Sequence, residues 1–335
     1  MKPFHDLSDG ARFRRLRRLA DQAVVAFGLG SARLRPLVCW ENATWRVSCA
    51  QGELLLRVHR VGYRSREEVL AELRWLEHLR RCGLPVAQPY RLPDGTAVVE
   101  ADAPGVPGPR LCTLLTWVHG RIHRRPTLPA VERIGRLFAQ LHNAAESAPS
   151  IGPRPAFDDT GWFRPAIPSG VPGVDAALSS ADRHLIGEMQ HAAHGLFARL
   201  DRSPASWGHI HADLHFFNVV HTPSGVVPID FDDMGTGPFL YDLAIPYIRC
   251  SRLADPAKAW ARLLKGYRSL RPLTDAQEAD VRALAVLQMP GVLRYIASRW
   301  PDPEVVSLLP RVLDDIRRVW PRWCAQHPWP FVSAS

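Results

Sequence analysis

Three side chains past the middle of the chain have the types and the spacing to handle a phosphate and an alcohol together. In His211-Ala-Asp213-Leu-His215-Phe-Phe-Asn218, Asp213 and Asn218 stand five apart in a segment of loop character. Asp230 comes twelve residues later, after the apolar run Val226-Val227-Pro-Ile229, and opens Asp230-Phe-Asp-Asp233. Asn218 and Asp230 can offer two oxygen ligands to Mg²⁺, an ion that keeps waters and substrate phosphates in its remaining positions. Asp213 is then left to face an incoming hydroxyl. Phosphoryl transfer needs little else: positioning, charge neutralisation and a carboxylate that accepts the hydroxyl proton.

These groups need elements to hold them. Ser65 and Glu68 form a capping box at the start of a helix whose stripe is Val69, Leu73, Leu76 and Leu79, stopped by Gly83 and Pro85. Glu72 lies beside Val69, Leu73 and Leu76, so it faces the packed side, where a carboxylate requires a cation partner. Short runs of strand character cover Thr44–Cys49, Glu53–Val58, Ala97–Glu100 and Leu111–Val118. An earlier helix is marked by Phe13, Leu16, Leu19, Ala20, Ala23, Val24 and Phe27, with Asp6, Ser8 and Asp9 as cap candidates. Its other face carries Arg12, Arg14, Arg15, Arg17 and Arg18, read as a solvated charge run. From Leu128 the pattern becomes helical, with helices expected near 179–200, 240–250, 254–270, 274–298 and 304–320 and a strand–loop–strand at 209–232.

The expected fold class is α+β in two lobes, a small sheet-rich one and a larger helical one. The expected organisation is an N-terminal amphipathic helix in 1–29, a nucleotide-binding lobe in 30–118 and a helical lobe in 119–335. The helical lobe carries the catalytic loop, 209–233, and a Pro/Gly-rich loop, 148–173, whose Trp162 is expected to close over an acceptor.

Composition narrows the setting. The 335 residues are 46% hydrophobic and 22% charged, ordinary values for a globular chain. The longest stretch free of charge, Leu214 to Ile229, has 16 residues interrupted by polar side chains and two prolines, too short for a membrane span of ~20 apolar residues. Six cysteines without a CxxC pair and no apolar leader suit a soluble, cytoplasmic protein. The net charge is +9, yet 39 of 42 cations are arginine, and between Lys2 and Lys258 no lysine is available for catalysis. Nucleic-acid binding would rest on net charge and the N-terminal arginines alone, so it is not expected. Nothing in the sequence sets the oligomeric state.

The loop resembles the kinase signature H-x-D-x-x-x-x-N with a D-F-G-like element after it. More closely, H-A-D-x-H-x-x-N followed by Asp230-Phe-Asp-Asp and Tyr241-Asp242-Leu243-Ala244 is similar to the aminoglycoside phosphotransferase and choline kinase-like superfamily, which includes type II homoserine kinases. Ala212 stands where that family usually has glycine. The resemblance implies a protein-kinase-like fold, ATP and Mg²⁺, and a small-molecule hydroxyl acceptor. It implies Asp213 as the base and Asn218 and Asp230 as the metal ligands. It also implies that Arg57, in place of the usual lysine, pairs with Glu72 and grips phosphates. Glu41-Asn42-Ala43-Thr44 resembles the turn over the nucleotide, with Asn42 in it. Leu114–Trp117, extended to Val118, resembles the hinge whose backbone meets adenine, through Thr116, Trp117 and Val118. His211 is expected to brace the loop, and Asp242 to cap a helix or brace the loop.

Other chemistries fit less well. A paired-metal phosphoesterase would need a second ligand cluster, and no G-N-H-[DE]-like run is present. His184, His191 and His194 share a helix face without a cysteine or an H-E-x-x-H pattern beside them. Neither G-x-x-x-x-G-K-[ST] nor G-x-G-x-x-G occurs. The alternatives within the fold are a Ser/Thr protein kinase of the bacterial stress-response type and a catalytically weak nucleotide-sensing pseudokinase. From residue 235 onward 14 Lys and Arg face 9 acidic residues, net +5, which favours a neutral, zwitterionic or carboxylate-bearing alcohol over a polycation.

Overall fold

The computed structural model describes residue 4 and residues 7–39, 42–164 and 171–325. Asp6, proposed as a cap, Glu41 of the turn and 165–170 of the Pro/Gly-rich loop lie outside the described residues. The chain forms two compact units: Met1–Gly120 with Pro149–Pro153, and Arg121–Ala148 with Arg154–Ser335.

The first unit starts with helix α1 (Asp9–Ala26), with Ser8 at its N-cap. Its apolar stripe, Leu16 to Phe27, is buried in one core with Trp45, Val47, Leu54 and Leu56. Arg12 departs from the expected solvated run: it lies one turn before Leu16 on the same stripe and is itself buried. Five antiparallel strands follow, β1 (Arg33–Cys39), β2 (Ala43–Cys49), β3 (Gly52–Val58), β4 (Val98–Ala101) and β5 (Arg110–Thr116), in the order β1-β2-β3-β5-β4. Strand β1 escaped the sequence reading because only Leu34 of it is buried and Pro36 interrupts it, so no alternation shows. Its register with β2 shifts between Pro36 and Val38, as a bulge beside a residue without an N–H would produce. Helix α2 (Arg66–Arg81) has the expected capping box of Ser65 and Glu68. Gly83, at φ +83°, follows its end, a left-handed position that glycine occupies without strain.

The second unit contains strand β6 (Arg121–Ile122), helices α3 (Leu128–Glu146), α4 (Pro172–Ala177) and α5 (Ser180–Arg199), and strands β7 (Trp207–Ile210), β8 (Val219–Thr222), β9 (Gly225–Pro228) and β10 (Gly235–Pro238). Helices α6 (Phe239–Cys250), α7 (Pro256–Arg268), α8 (Asp275–Leu287), α9 (Met289–Ser298), α10 (Pro303–Val306) and α11 (Leu309–Cys324) complete it. The expected helix 274–298 is two helices. Pro290 lacks an N–H and collides with the carbonyl four residues back, so α8 stops and α9 restarts at Met289. Likewise 304–320 is divided into α10 and α11, with Pro310 in the first turn of the second.

Helices α3 and α7 pack backbone to backbone. A Cβ on Gly135 would fall 1.9 Å from the Leu263 carbonyl oxygen, and one on Gly266 1.9 Å from that of Glu132. This close approach fixes α3, which carries His142 beneath the loop described next. No helix among the described residues is long and apolar enough to cross a membrane.

Candidate active site

A hairpin brings Asn218 and Asp230 together. Val219 pairs with Pro228 and Thr222 with Gly225, so the residues flanking β8 and β9 emerge side by side at the open end. The Ile229 N–H donates to the Asn218 carbonyl at 2.9 Å. A separation of twelve residues thereby becomes adjacency. Asn218 ends a single 3-10 turn, Phe216–Asn218. Its Nδ2 donates to the Asp213 carbonyl at 2.9 Å and to Asp213 Oδ2 at 3.3 Å. With both amide hydrogens committed, Asn218 Oδ1 remains the acceptor available to a cation.

Two residues here take left-handed backbone angles, Ala212 at φ +66° and Asp230 at φ +65°. Aspartate tolerates that region; alanine does so at a cost of about 1–2 kcal/mol. The strain at Ala212 is offset by hydrogen bonding. Asp242, fully buried, accepts from the His211 N–H at 2.9 Å and from the Ala212 N–H at 2.6 Å. His142 Nε2 lies 3.3 Å from the same carboxylate and its Nδ1 3.0 Å from the Tyr267 hydroxyl. Tyr267, His142 and Asp242 thus form a buried chain under the loop. The His211 ring reaches the Ile229 carbonyl at 3.0 Å, tying the loop to the strand that delivers Asp230. His211 and Asp242 both tie the loop to its surroundings, and of the two roles open to Asp242 these bonds are those of a loop brace.

Asp213 remains reachable, with 43% of its side-chain surface exposed. Desolvation by its surroundings, followed by the charges of Asp233 and Asp230, pushes its carboxyl up to about 8, against an opposing pull from Arg249 and Asn218. The charges of Asp233 and Asp230 act against a charged Asp213, and a divalent cation held by Asn218 and Asp230 would offset them. The donor set fits such an ion: an amide oxygen and carboxylates, all hard ligands. Desolvation, with Arg249 next, holds His215 down at about 4, so it is neutral at pH 7.

The Pro/Gly-rich segment is a strut over its described part. Arg154 donates to the Met234 carbonyl at 2.8 Å and to that of Asp232 at 2.5 Å, bracing the stretch after Asp230. Phe157 N–H donates to the Thr236 carbonyl at 2.7 Å. The Trp162 ring, expected to close over an acceptor, packs on Gly291, where an added Cβ would come within 2.5 Å, and near Phe157.

In the first unit, Arg57 on β3 and Glu72 on α2 form an ion pair at 2.6 Å, their side chains 4% and 1% exposed. Asn42 Oδ1 accepts from the Arg60 N–H at 3.1 Å, closing the end of the β2–β3 pair. At the hinge-like stretch β5 ends at Thr116, two residues short of the expected Val118. The N–H groups of Thr116 and Trp117 are already donated to the Gln88 and Glu53 carbonyls, at 2.8 and 3.1 Å. The Trp117 ring lies under Arg46 at 4.8 Å.

His184 and His194 turn outward toward Glu188 and Asp159. No group of three metal-ligating His, Cys, Asp or Glu gathers among the described residues. Sequence reasoning missed His142, Arg154 and Arg249. The signal for His142 was a histidine flanked by Phe138 and Leu141 on the packed face of α3; Arg154 and Arg249 gave none.

Residues 34–273 match the sequence model of the phosphotransferase enzyme family, a span that takes in every candidate residue above. The chain belongs to that family. A homoserine kinase of Azorhizobium caulinodans is 32% identical over 247 residues, covering 70% of this chain and 71% of its own length. An uncharacterized protein of Deinococcus radiodurans is also 32% identical, over 274 residues, covering 78% and 76%. Among solved structures, a microcompartment-associated aminopropanol kinase superposes with a TM-score of 0.78 at 25% identity, covering 94% of this chain and 100% of its own. An amicoumacin kinase solved with AMP-PNP, Ca²⁺ and Ami superposes at 0.71 with 20% identity, over 92% and 96%. The phosphotransferase therefore has the kinase-like α+β fold, and its reaction is phosphoryl transfer to a hydroxyl.

Proposed function

We propose that this phosphotransferase moves the γ-phosphoryl group of Mg-ATP onto the hydroxyl of a small amino-alcohol metabolite, of the homoserine or aminopropanol kind. The observation that carries the reading is the reachable Asp213 carboxylate, held by Asn218 beside Asp230 in a loop pinned from below by Asp242. The acceptor oxygen attacks the γ-phosphorus, the bond to the β–γ bridging oxygen breaks, and the hydroxyl proton passes to Asp213. Asn218 and Asp230 would hold Mg²⁺, which when bound neutralises phosphate charge; positive charge there also draws the Asp213 carboxyl back toward its basic form. Arg57, oriented by Glu72, would contact phosphate oxygens, a task its planar fork suits. Because Thr116 and Trp117 have donated their N–H groups, adenine recognition falls to the Val118 N–H and the neighbouring carbonyls. Asn42 acts by holding the turn rather than by touching phosphate.

Support for a small amino-alcohol acceptor comes from the homoserine kinase and aminopropanol kinase relatives and from the net +5 charge past residue 235. The test is Mg²⁺-dependent ADP release with pooled acceptors (amino alcohols, aminoglycosides, nucleosides, casein), with Asp213→Ala alongside. We expect amino alcohols to stimulate the wild type and Asp213→Ala to lose roughly 10²–10⁴-fold in kcat while titrating ATP normally. Wild-type turnover in Asp213→Ala would remove the base, and stimulation by casein alone would replace the acceptor class.

A further inference from the structure

We propose that Arg249, Arg252 and Arg311, with the ring of Phe217, form a subsite for an anionic group of the acceptor, so that the alcohol phosphorylated here carries a carboxylate. The inference rests on the kinase reading above and selects within its acceptor class.

Arg249 sits in the last turn of α6 and is half-buried, yet it makes no ion pair and no side-chain hydrogen bond among the described residues. Several enclosed arginines in the chain have polar partners: Arg57 has Glu72, Arg154 two carbonyls, and Arg271 Asn143 and the Ala205 carbonyl. The field of the Asp213 carboxylate favours the charge on Arg249, and Arg311 opposes it with a like charge. Arg252, one turn on, feels both Arg249 and Arg311. Asp315, which also acts on Arg252, is held by Arg318 at 2.8 Å. Arg249 and Arg252 thus stand one turn apart at the end of α6, the Arg252 N–H donating to the Arg249 carbonyl at 3.1 Å, Arg311 adds its charge to theirs, and none of the three forms an ion pair among the described residues. Such a gathering is unfavourable until an anion joins it, and the guanidinium fork matches a carboxylate in shape.

Phe217 supplies the rest of the platform. It lies in the turn between His215 and Asn218, and 39% of its surface is exposed. The guanidinium carbons of Arg124 and Arg249 stand 5.4 and 5.8 Å from its ring centre. A short carbon chain can lie across this ring with its hydroxyl toward Asp213 and its carboxylate toward the arginines.

The same cluster could instead receive the nucleotide's phosphates, and the experiment separates the two sources. Initial rates are measured for the wild type, Arg252→Ala and Arg311→Ala with L-homoserine, 4-hydroxybutanoate and 3-aminopropan-1-ol, which has homoserine's hydroxyl and amine without the carboxylate. Both substituted residues are exposed, so folding is not at stake. We expect the wild type to favour a carboxylated alcohol over aminopropanol in kcat/KM. We also expect each variant to raise KM for it about tenfold, the worth of one charge-assisted hydrogen bond, leaving KM for ATP and for aminopropanol in place. Equal use of aminopropanol, unchanged KM in both variants, or a raised KM for ATP would each overturn the subsite. Calorimetric titration of 4-hydroxybutanoate keeps the two readings apart. Binding that Arg311→Ala abolishes, without turnover, supports the subsite and sinks the kinase reading for these alcohols; no binding and no turnover overturns the subsite.

Discussion

At Ala212 the side chain occupies a left-handed backbone position that favours glycine, immediately before the proposed base. Relief of that strain, less the extra entropy glycine gives the unfolded chain, leaves about 0.5–1 kcal/mol of gain. Ala212→Gly is therefore expected to move the denaturation midpoint upward while leaving the Asp242 bonds to the loop intact. Equilibrium unfolding in urea reads it directly, and a lower midpoint would mean that the methyl group packs better than the strain costs. The sequence displayed the departure from glycine openly; that it was strained required the backbone angle. Type and spacing singled out Asp213, Asn218 and Asp230, and the hairpin and the Asn218 hydrogen bonds bring the loop and the strand end together. Arg249 was not singled out, because an arginine's significance depends on which anions are missing around it.

Elements carry the next level of argument. Strand β3 and helix α2 are joined through Arg57 and Glu72, both nearly free of solvent. Removing one partner strands the other charge in the interior, a loss of about 3–5 kcal/mol. Arg57→Met should reach that range, while Arg57→Lys should retain most of the stability and show its effect in KM for ATP. Thermal melts and nucleotide titrations of the two variants distinguish a structural cation from a phosphate-gripping one. Beneath the loop, Asp242→Ala would orphan the buried N–H groups of His211 and Ala212, at about 1–3 kcal/mol each. It should lower kcat along with stability, since Asp213 would no longer be held. Hydrogen exchange at His211 and Ala212 should accelerate, and unchanged protection there would refute the brace.

For the molecule as a whole, acid sensitivity follows from buried histidines. Burial keeps His142 below its ordinary range, with Asp242 opposing, and His211 is depressed for the same reason. The unfolded chain takes up these protons first, near pH 6.5. Their contribution is therefore fully present above about 6.5 and is lost as pH falls below it. Urea midpoints at pH 7.5, 6.5 and 5.5 should decline across the last interval, and His142→Gln should flatten that decline. Cys112 and Cys250, whose thiols burial pushes up to about 12, should resist thiol reagents until the chain unfolds.

Local signals determined a good deal of this protein. The capping box at Ser65, the stripe of α1, the turn at Gly83 and the spacing of the catalytic loop each involve residues near one another in the chain, where propensity and periodicity act directly. The α+β class followed from the same signals. Tertiary structure decided the rest. It made strands of Arg33–Cys39 and Gly235–Pro238, whose hydrogen bonds come from partners and not from propensity. It buried Arg12, packed Trp162 on Gly291, and linked Tyr267, His142 and Asp242 across more than a hundred residues. Above all, it set Arg249 over the ring of Phe217, in the turn between His215 and Asn218. Electrostatic fields act through space, and no pattern along one chain encodes which charges will meet.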